Sequence, residues 1–180
     1  MISDADFKDV FGLDIKIVKY SELKEYKTFY DLLPEPCSFV IVLTESRENS
    51  GHWCCLFRTK NDEIYWMDPY GVKPDGELKF IPERMKIILG QTTNELHRLI
   101  KTVPKDKFHY LKKRIQSFKS GVNTCGRWTM VFIKLCLFGF SIDEIIDFIE
   151  TKSKEKGRPP DILACDWCPY NQSSSVSLSN

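Results

Sequence analysis

The run Trp128-Thr129-Met130-Val131-Phe132-Ile133-Lys134-Leu135-Cys136-Leu137-Phe138-Gly139-Phe140 constrains this chain more than any other stretch. It is apolar almost all round, which predicts a helix buried on every side and covered by other elements. It is shorter than the roughly 20 residues of a membrane span. Cys125-Gly126 stands just before it, after the polar pair Asn123-Thr124. A helix over about 125–138 puts the Cys125 thiol at an N-terminus, where unpaired N–H groups and the helix dipole favour negative charge. Helix N-termini lower thiol pKa from about 8.5 to roughly 3.5–7.5, and the thiolate is the attacking form. Cys125 is therefore a candidate nucleophile in need of a base.

The surrounding pattern predicts an α+β domain. Residues 4–11 suit a short helix closed by Gly12, and residues 15–20 a short strand. Ser21 offers an N-cap for a helix over 22–33, ended by Pro34 and Pro36. Residues 37–44 are a nearly continuous apolar run, as in a buried central strand. Two further strands, His52 to Arg58 and Ile64 to Asp68, flank the turn chemistry of residues 59–63. A helix is expected over 92–102 and a strand ending near Ile115. A capping box, Ser141-Ile142-Asp143-Glu144, begins a helix to about 156, which Pro159-Pro160 ends. Residues 1–170 read as a single domain and the Ser-rich end, 171–180, as a disordered tail.

A chain of 180 residues with a 42% hydrophobic fraction can bury a sizeable core. Its net charge of +1 gives no global argument for nucleic acid or membrane binding. The acidic start lacks the features of a signal peptide, so an intracellular location is expected. Seven cysteines, an odd number and several within apolar runs, suit reduced thiols. Cys165-Asp166-Trp167-Cys168 has metal-ligand or redox spacing, but free thiols are the expectation, and no metal is assigned.

A base is available locally. His52 and Asp68 are equidistant in sequence from Lys60, so a hairpin folded about that residue brings both to its open end. A carboxylate there orients the imidazole, which then deprotonates the thiol and later protonates a leaving amine. Asp68 before Pro69 also suits an Asx-turn, and the two roles are compatible. Gln116, with backbone N–H groups of Cys125 and Gly126, is the candidate oxyanion donor. Gly126 is expected to let substrate approach the helix start. Trp53 points opposite to His52, toward core.

Gly51-His52-Trp53, Asp68-Pro69-Tyr70-Gly71, Gln116 and Cys125-Gly126, in that order, resemble the adenain-like cysteine proteases, which share a clan with the Ulp-type SUMO proteases. The resemblance covers about residues 37–140. It implies the papain-like/adenain-like fold, a central mixed sheet with the nucleophile starting a buried helix. It also implies His52 as base, Asp68 as its orienter, Gln116 as oxyanion donor and Cys125 as nucleophile, with Gly51, Trp53 and Gly126 lining the substrate groove. The implied activity is a monomeric cysteine endopeptidase that cleaves polypeptides next to Gly or small residues. Its setting is viral or virus-derived, with processing of capsid or other virion precursors in the host cytoplasm or nucleus or in the virion. No cofactor is expected beyond the peptide or polyanion activators of the family. The basic stretch 101–119 is either a solvated face or a weak nucleic-acid contact. Gln116 lies nine residues before Cys125, whereas the family spaces these by six or seven; either the loop 117–124 absorbs the difference, or a backbone amide or Asn123 is the donor in place of Gln116. The alternatives are a deSUMOylase or deubiquitinase-like isopeptidase, an effector acetyltransferase using the same triad, and a binding module on the same scaffold.

Overall fold

β-Branched and aromatic residues build a five-stranded sheet in the order β1-β2-β3-β4-β5. The computed structural model describes residues 2–119 and 121–169; the expected disordered tail lies outside them. The strands are β1 (Lys16–Lys19), β2 (Phe39–Arg47), β3 (Ser50–Arg58), β4 (Ile64–Met67) and β5 (Phe108–Tyr110). β2, β3 and β4 run antiparallel, while β1 is parallel to β2 and β5 to β4. The sheet is therefore mixed, as expected, and helices cover both faces.

Alternation along β2 and β3 sends side chains into two cores. Ile41, Leu43, Trp53, Cys55 and Phe57 face one cluster, with α1 (Asp4–Phe11), α5 (Cys125–Leu137), α6 (Ile142–Lys156) and α7 (Pro160–Trp167). Val40, Val42, Cys54 and Leu56 face the other, with α2 (Phe29–Leu32), α4 (Glu95–Ile100) and two 3₁₀ turns, Tyr20–Glu25 and Gly76–Phe80. α3 (Glu83–Ile88) follows the second of these turns. α5 buries Trp128, Thr129, Met130, Phe132 and Ile133 between the sheet and α7, which accounts for its nearly uninterrupted apolar sequence. No helix among the described residues is long and apolar enough to cross a membrane.

Several boundaries differ from the sequence expectations. The helix expected over 22–33 is split into the first 3₁₀ turn and α2. A second capping box, Thr28 with Asp31, restarts the chain so that Leu23, Phe29 and Leu32 all reach the core. The expected helix over 92–102 is reduced to Glu95–Ile100, and β5 stops at Tyr110 rather than near Ile115. Gly157, in the left-handed region, closes α6, and Pro159-Pro160, expected to end that helix, begins the next one. Pro160 occupies the first position of α7, where its missing N–H costs nothing and Asp161 complements the dipole.

Candidate active site

The site forms where β4 ends early. β4 pairs with β3 only from Arg58↔Ile64 to Cys55↔Met67, so residues 50–54 of β3 run on without a neighbour on that side. The start of α5 fills the gap. The backbone N–H of Trp53 donates to the Cys125 sulfur, and the Trp53 carbonyl accepts from the Thr129 hydroxyl at 3.3 Å.

The hairpin register departs from the symmetry expected about Lys60. A backbone bond from Thr59 N–H to the Glu63 carbonyl, 2.8 Å, closes the turn so that Arg58 faces Ile64. Carried one step past Met67, that register sets Asp68 toward Cys54 rather than opposite His52. Because a strand repeats every two residues, a shift of two leaves Asp68 and His52 on one face as diagonal neighbours. His52 Nε2 and Asp68 Oδ1 are 2.9 Å apart. Asp68 is fully buried, and its Oδ1 also accepts from the Tyr70 N–H at 2.7 Å. The Asx-turn and the imidazole contact therefore coexist on one oxygen. Tyr70 stacks on the His52 ring at 4.6 Å and 16°, and Phe118 stacks on the other face of Tyr70 at 4.3 Å. Both ring stacks hold the imidazole plane.

With Nε2 taken by Asp68, Nδ1 is left for the thiol, and Cys125 lines the same groove as His52, close enough for each to shift the other's ionisation. Burial alone would push the His52 pKa down. The Asp68 charge and hydrogen bond, joined by Cys125, outweigh it and raise His52 to about 10. Burial likewise opposes ionisation of Cys125. The hydrogen bond and charge of His52, followed by N–H bonds from Trp53 and Gly126, prevail and hold the thiol below its usual range. Both shifts favour a thiolate–imidazolium pair. The helix terminus contributes because Thr124 does not cap it: its side chain makes no cap bond, and the first turn carries no acid.

Gln116 is 2% exposed and lines a groove of about 310 Å³ with Gly51, His52 and Cys125. Its backbone N–H and that of Ile115 both donate to the Pro69 carbonyl at 3.0 Å, which ties it to the Asp68 turn. Its side-chain Nε2 rests on the Tyr70 hydroxyl at 3.4 Å and the Val122 carbonyl at 3.3 Å. Asn123, exposed, lines the same groove.

The long spacing from Gln116 to Cys125 is absorbed by a residue the sequence did not single out. The Asp161 carboxylate accepts from Ser117 N–H at 2.9 Å and from the Thr124 hydroxyl at 2.5 Å, so both ends of the loop 117–124 converge on it. The readable signal was Pro-Pro-Asp, a helix start rather than a helix stop. Asp161→Ala is expected to cost about 2 kcal/mol, as two bonds to a charged acceptor are lost, and Asp161→Asn to recover part of it. Urea denaturation of the two variants checks this; equal midpoints for wild type and Asp161→Ala would contradict it.

Two groove assignments are placed elsewhere by the structure. Trp53 is 4% exposed; its indole N–H donates to the Ile2 carbonyl at 3.0 Å and its ring packs edge-on against Phe7. It holds the N-terminal segment and does not line the groove with Cys125. Gly126 is also closed off on its open side, because a Cβ there would lie 2.5 Å from the Ile2 side chain. Its smallness admits the N-terminus and not substrate. Gly51 does line the groove, and its reason is backbone proximity: a Cβ would fall 2.0 Å from the Thr44 carbonyl oxygen. In the basic stretch, Lys113 pairs with Glu150, Arg114 lies over the Phe118 ring and Lys107 bonds the Asn61 carbonyl. Cys168 is buried against the Met130 sulfur at 3.3 Å.

No family model matches the sequence. A viral protein, the uncharacterized protein V9 of Sputnik virophage, is 31% identical over 162 residues, spanning 90% of each chain. Among solved structures, the central domain of the uncharacterized Lpg1148 protein from Legionella pneumophila aligns with 94% of this chain and 96% of that one. Its identity is 13% and its TM-score 0.42.

Proposed function

The chain belongs to the family of the Sputnik virophage protein V9, and from its site we propose that it is a cysteine endopeptidase of the adenain-like kind. One observation carries the reading. A thiol at an uncapped helix N-terminus shares one groove with an imidazole that is held by a fully buried carboxylate.

The chemistry follows from those positions. The Cys125 thiolate attacks the scissile carbonyl, and the carbonyl π electrons move onto oxygen. That oxyanion meets the first-turn N–H groups of α5 and the Gln116 amide, whose present bonds at 3.3–3.4 Å are long enough to be exchanged for a stronger charged acceptor. The His52 imidazolium passes its proton to the departing amine as the C–N bond breaks, leaving an acyl-thioester on Cys125. Neutral His52 then takes a proton from water, whose oxygen attacks the thioester, and the acid product leaves with the thiolate restored. Asp68 holds the imidazole orientation throughout and stabilises its cationic form. The viral relative supports a viral setting, and the adenain-like resemblance makes virion precursor proteins, cleaved next to Gly or small residues, the proposed substrates.

The test is active-site labelling with a peptidyl electrophile, such as a glycine-ended aldehyde or vinyl sulfone. Wild type is expected to be labelled once, at Cys125, and to cleave a matching fluorogenic peptide; Cys125→Ser is expected to do neither. Equal cleavage by Cys125→Ser, or labelling of another cysteine in preference, would sink the proposal. Acetyl transfer from acetyl-CoA to Cys125 without peptide cleavage would favour the acetyltransferase reading instead.

A further inference from the structure

Glu77 breaks a rule that the other buried glutamates obey. Glu45 and Glu95 are 2% and 9% exposed. Glu45 takes the Lys19 ammonium at 3.2 Å and the Asn49 N–H at 2.7 Å. Glu95 takes the Arg98 guanidinium at 2.7 Å and the Thr93 hydroxyl at 2.6 Å. Glu77 is just as buried, at 2%, yet no other described residue pairs with either of its oxygens, and only its own backbone N–H offsets the burial. Burying a carboxyl without a partner is costly, so such a group marks either strain or a ligand.

The position of Glu77 favours a ligand. It lines the same groove as His52 and Cys125. Two further buried polar atoms of that groove, Thr44 Oγ1 and Gln116 Oε1, also lack partners. Once Glu77 is ionised, the unmet needs are mainly acceptors: two carboxyl oxygens, an amide oxygen and a hydroxyl able to accept. Phe80, Ile81 and Phe118 provide apolar surface beside them, with Phe80 and Phe118 half exposed at the groove mouth. An acidic occupant would meet a carboxyl already beside the Asp68 charge, and a purely apolar one would strand the acceptors. An aliphatic stem ending in several N–H donors satisfies both surfaces, and that is the side chain of lysine or arginine. Burial and the neighbouring Asp68 charge raise the Glu77 pKa to about 8, a state that a cation seated against it would reverse.

We propose that this groove is a specificity subsite that seats a basic residue of the substrate polypeptide, with Glu77 pairing the cationic head and Phe80, Ile81 and Phe118 packing its stem. The inference rests on the reading of Cys125 as a peptidase nucleophile, since that makes the groove a peptide channel. It adds a basic residue, near the scissile bond, to the small residues expected from family resemblance.

The experiment separates the two. The full-length Cys125→Ala protein, which cannot turn over, is titrated calorimetrically with short capped Ala/Gly peptides. Each carries lysine at one successive position, or norleucine, which keeps the four-carbon stem and lacks the ammonium. At one position lysine is expected to bind at least tenfold more tightly than norleucine, and Glu77→Gln in the same background is expected to abolish that difference. The proposal is overturned by equal affinity for lysine and norleucine at every position, by a lysine advantage that survives in Glu77→Gln, or by binding of no peptide. Gln is isosteric with Glu; should the variant nonetheless fail to fold, the lysine–norleucine comparison in the Cys125→Ala protein alone decides. Loss of the lysine preference leaves wild-type cleavage intact, whereas failure of the peptidase reading leaves the preference measurable.

Discussion

Replacing His52 by alanine is expected to lower kcat/KM by about 10²–10⁴-fold, the range spanned by a positioned general acid–base. It is also expected to move ionisation of Cys125 upward. The reason lies in which influences on the thiol remain. Burial opposes the thiolate, while the hydrogen bond and charge of His52 head the list of those favouring it. With the imidazole gone, only N–H bonds such as those from Trp53 and Gly126 oppose burial. Iodoacetamide alkylation of Cys125 against pH reads this directly. In wild type the midpoint lies below that of a free thiol, about 8.5, and the rate climbs as pH rises through it. In His52→Ala the midpoint lies above it. The sign at the other limb follows from the raised pKa of His52: the imidazolium is present below about pH 10 and lost above it, so wild-type turnover falls there. An unchanged alkylation profile in His52→Ala would show that the two side chains do not form an ion pair.

The second large effect is structural. Trp128 is fully buried one turn after Cys125, and its ring meets Trp167 of α7 edge-on at 6.2 Å and 85°. Trp128→Ala is expected to cost about 3–5 kcal/mol, as for other large-to-small changes in cores. Against a total stability of roughly 5–15 kcal/mol, that leaves a marginal fold. Trp128→Phe is expected to cost much less. It keeps most of the apolar area and removes an indole N–H that has no acceptor among the described residues. Urea unfolding of both variants makes the comparison, and a Phe variant as weak as the Ala variant would refute it. Because α5 positions the thiol, Trp128→Ala should also lose alkylation selectivity for Cys125 before global unfolding is complete.

The site was legible in the sequence to the extent that its parts are local. The pairing of His52 with Asp68 needed only two strands and one turn. The turn closes two residues away from the expected symmetry, and the inference survived because a two-residue slip preserves the face of a strand; a one-residue slip would have separated the pair. The nucleophile was legible because a helix start and an apolar run are written in consecutive residues. Gln116 was readable as a type but not as a placement, since the loop after it is folded by Asp161 from another helix. Gly126 shows the opposite failure. Its neighbour Ile2 is more than a hundred residues away in the chain, so no local rule distinguishes a glycine that admits substrate from one that admits the N-terminus.

What the sequence determined by itself was therefore a set of local facts: the strands and their faces, the capped start of α6, the Asx-turn at Asp68, and a thiol at the head of a buried helix. Periodicity and hydrogen-bond capacity act over a few residues, so they can be read there. Only the tertiary structure decided that the thiol meets the imidazole, because this depends on β4 ending at Met67 and leaving the Trp53 N–H and carbonyl to α5. It alone decided that no other described residue pairs with the buried Glu77 carboxyl, a property set by what is absent around it and so invisible in any single segment.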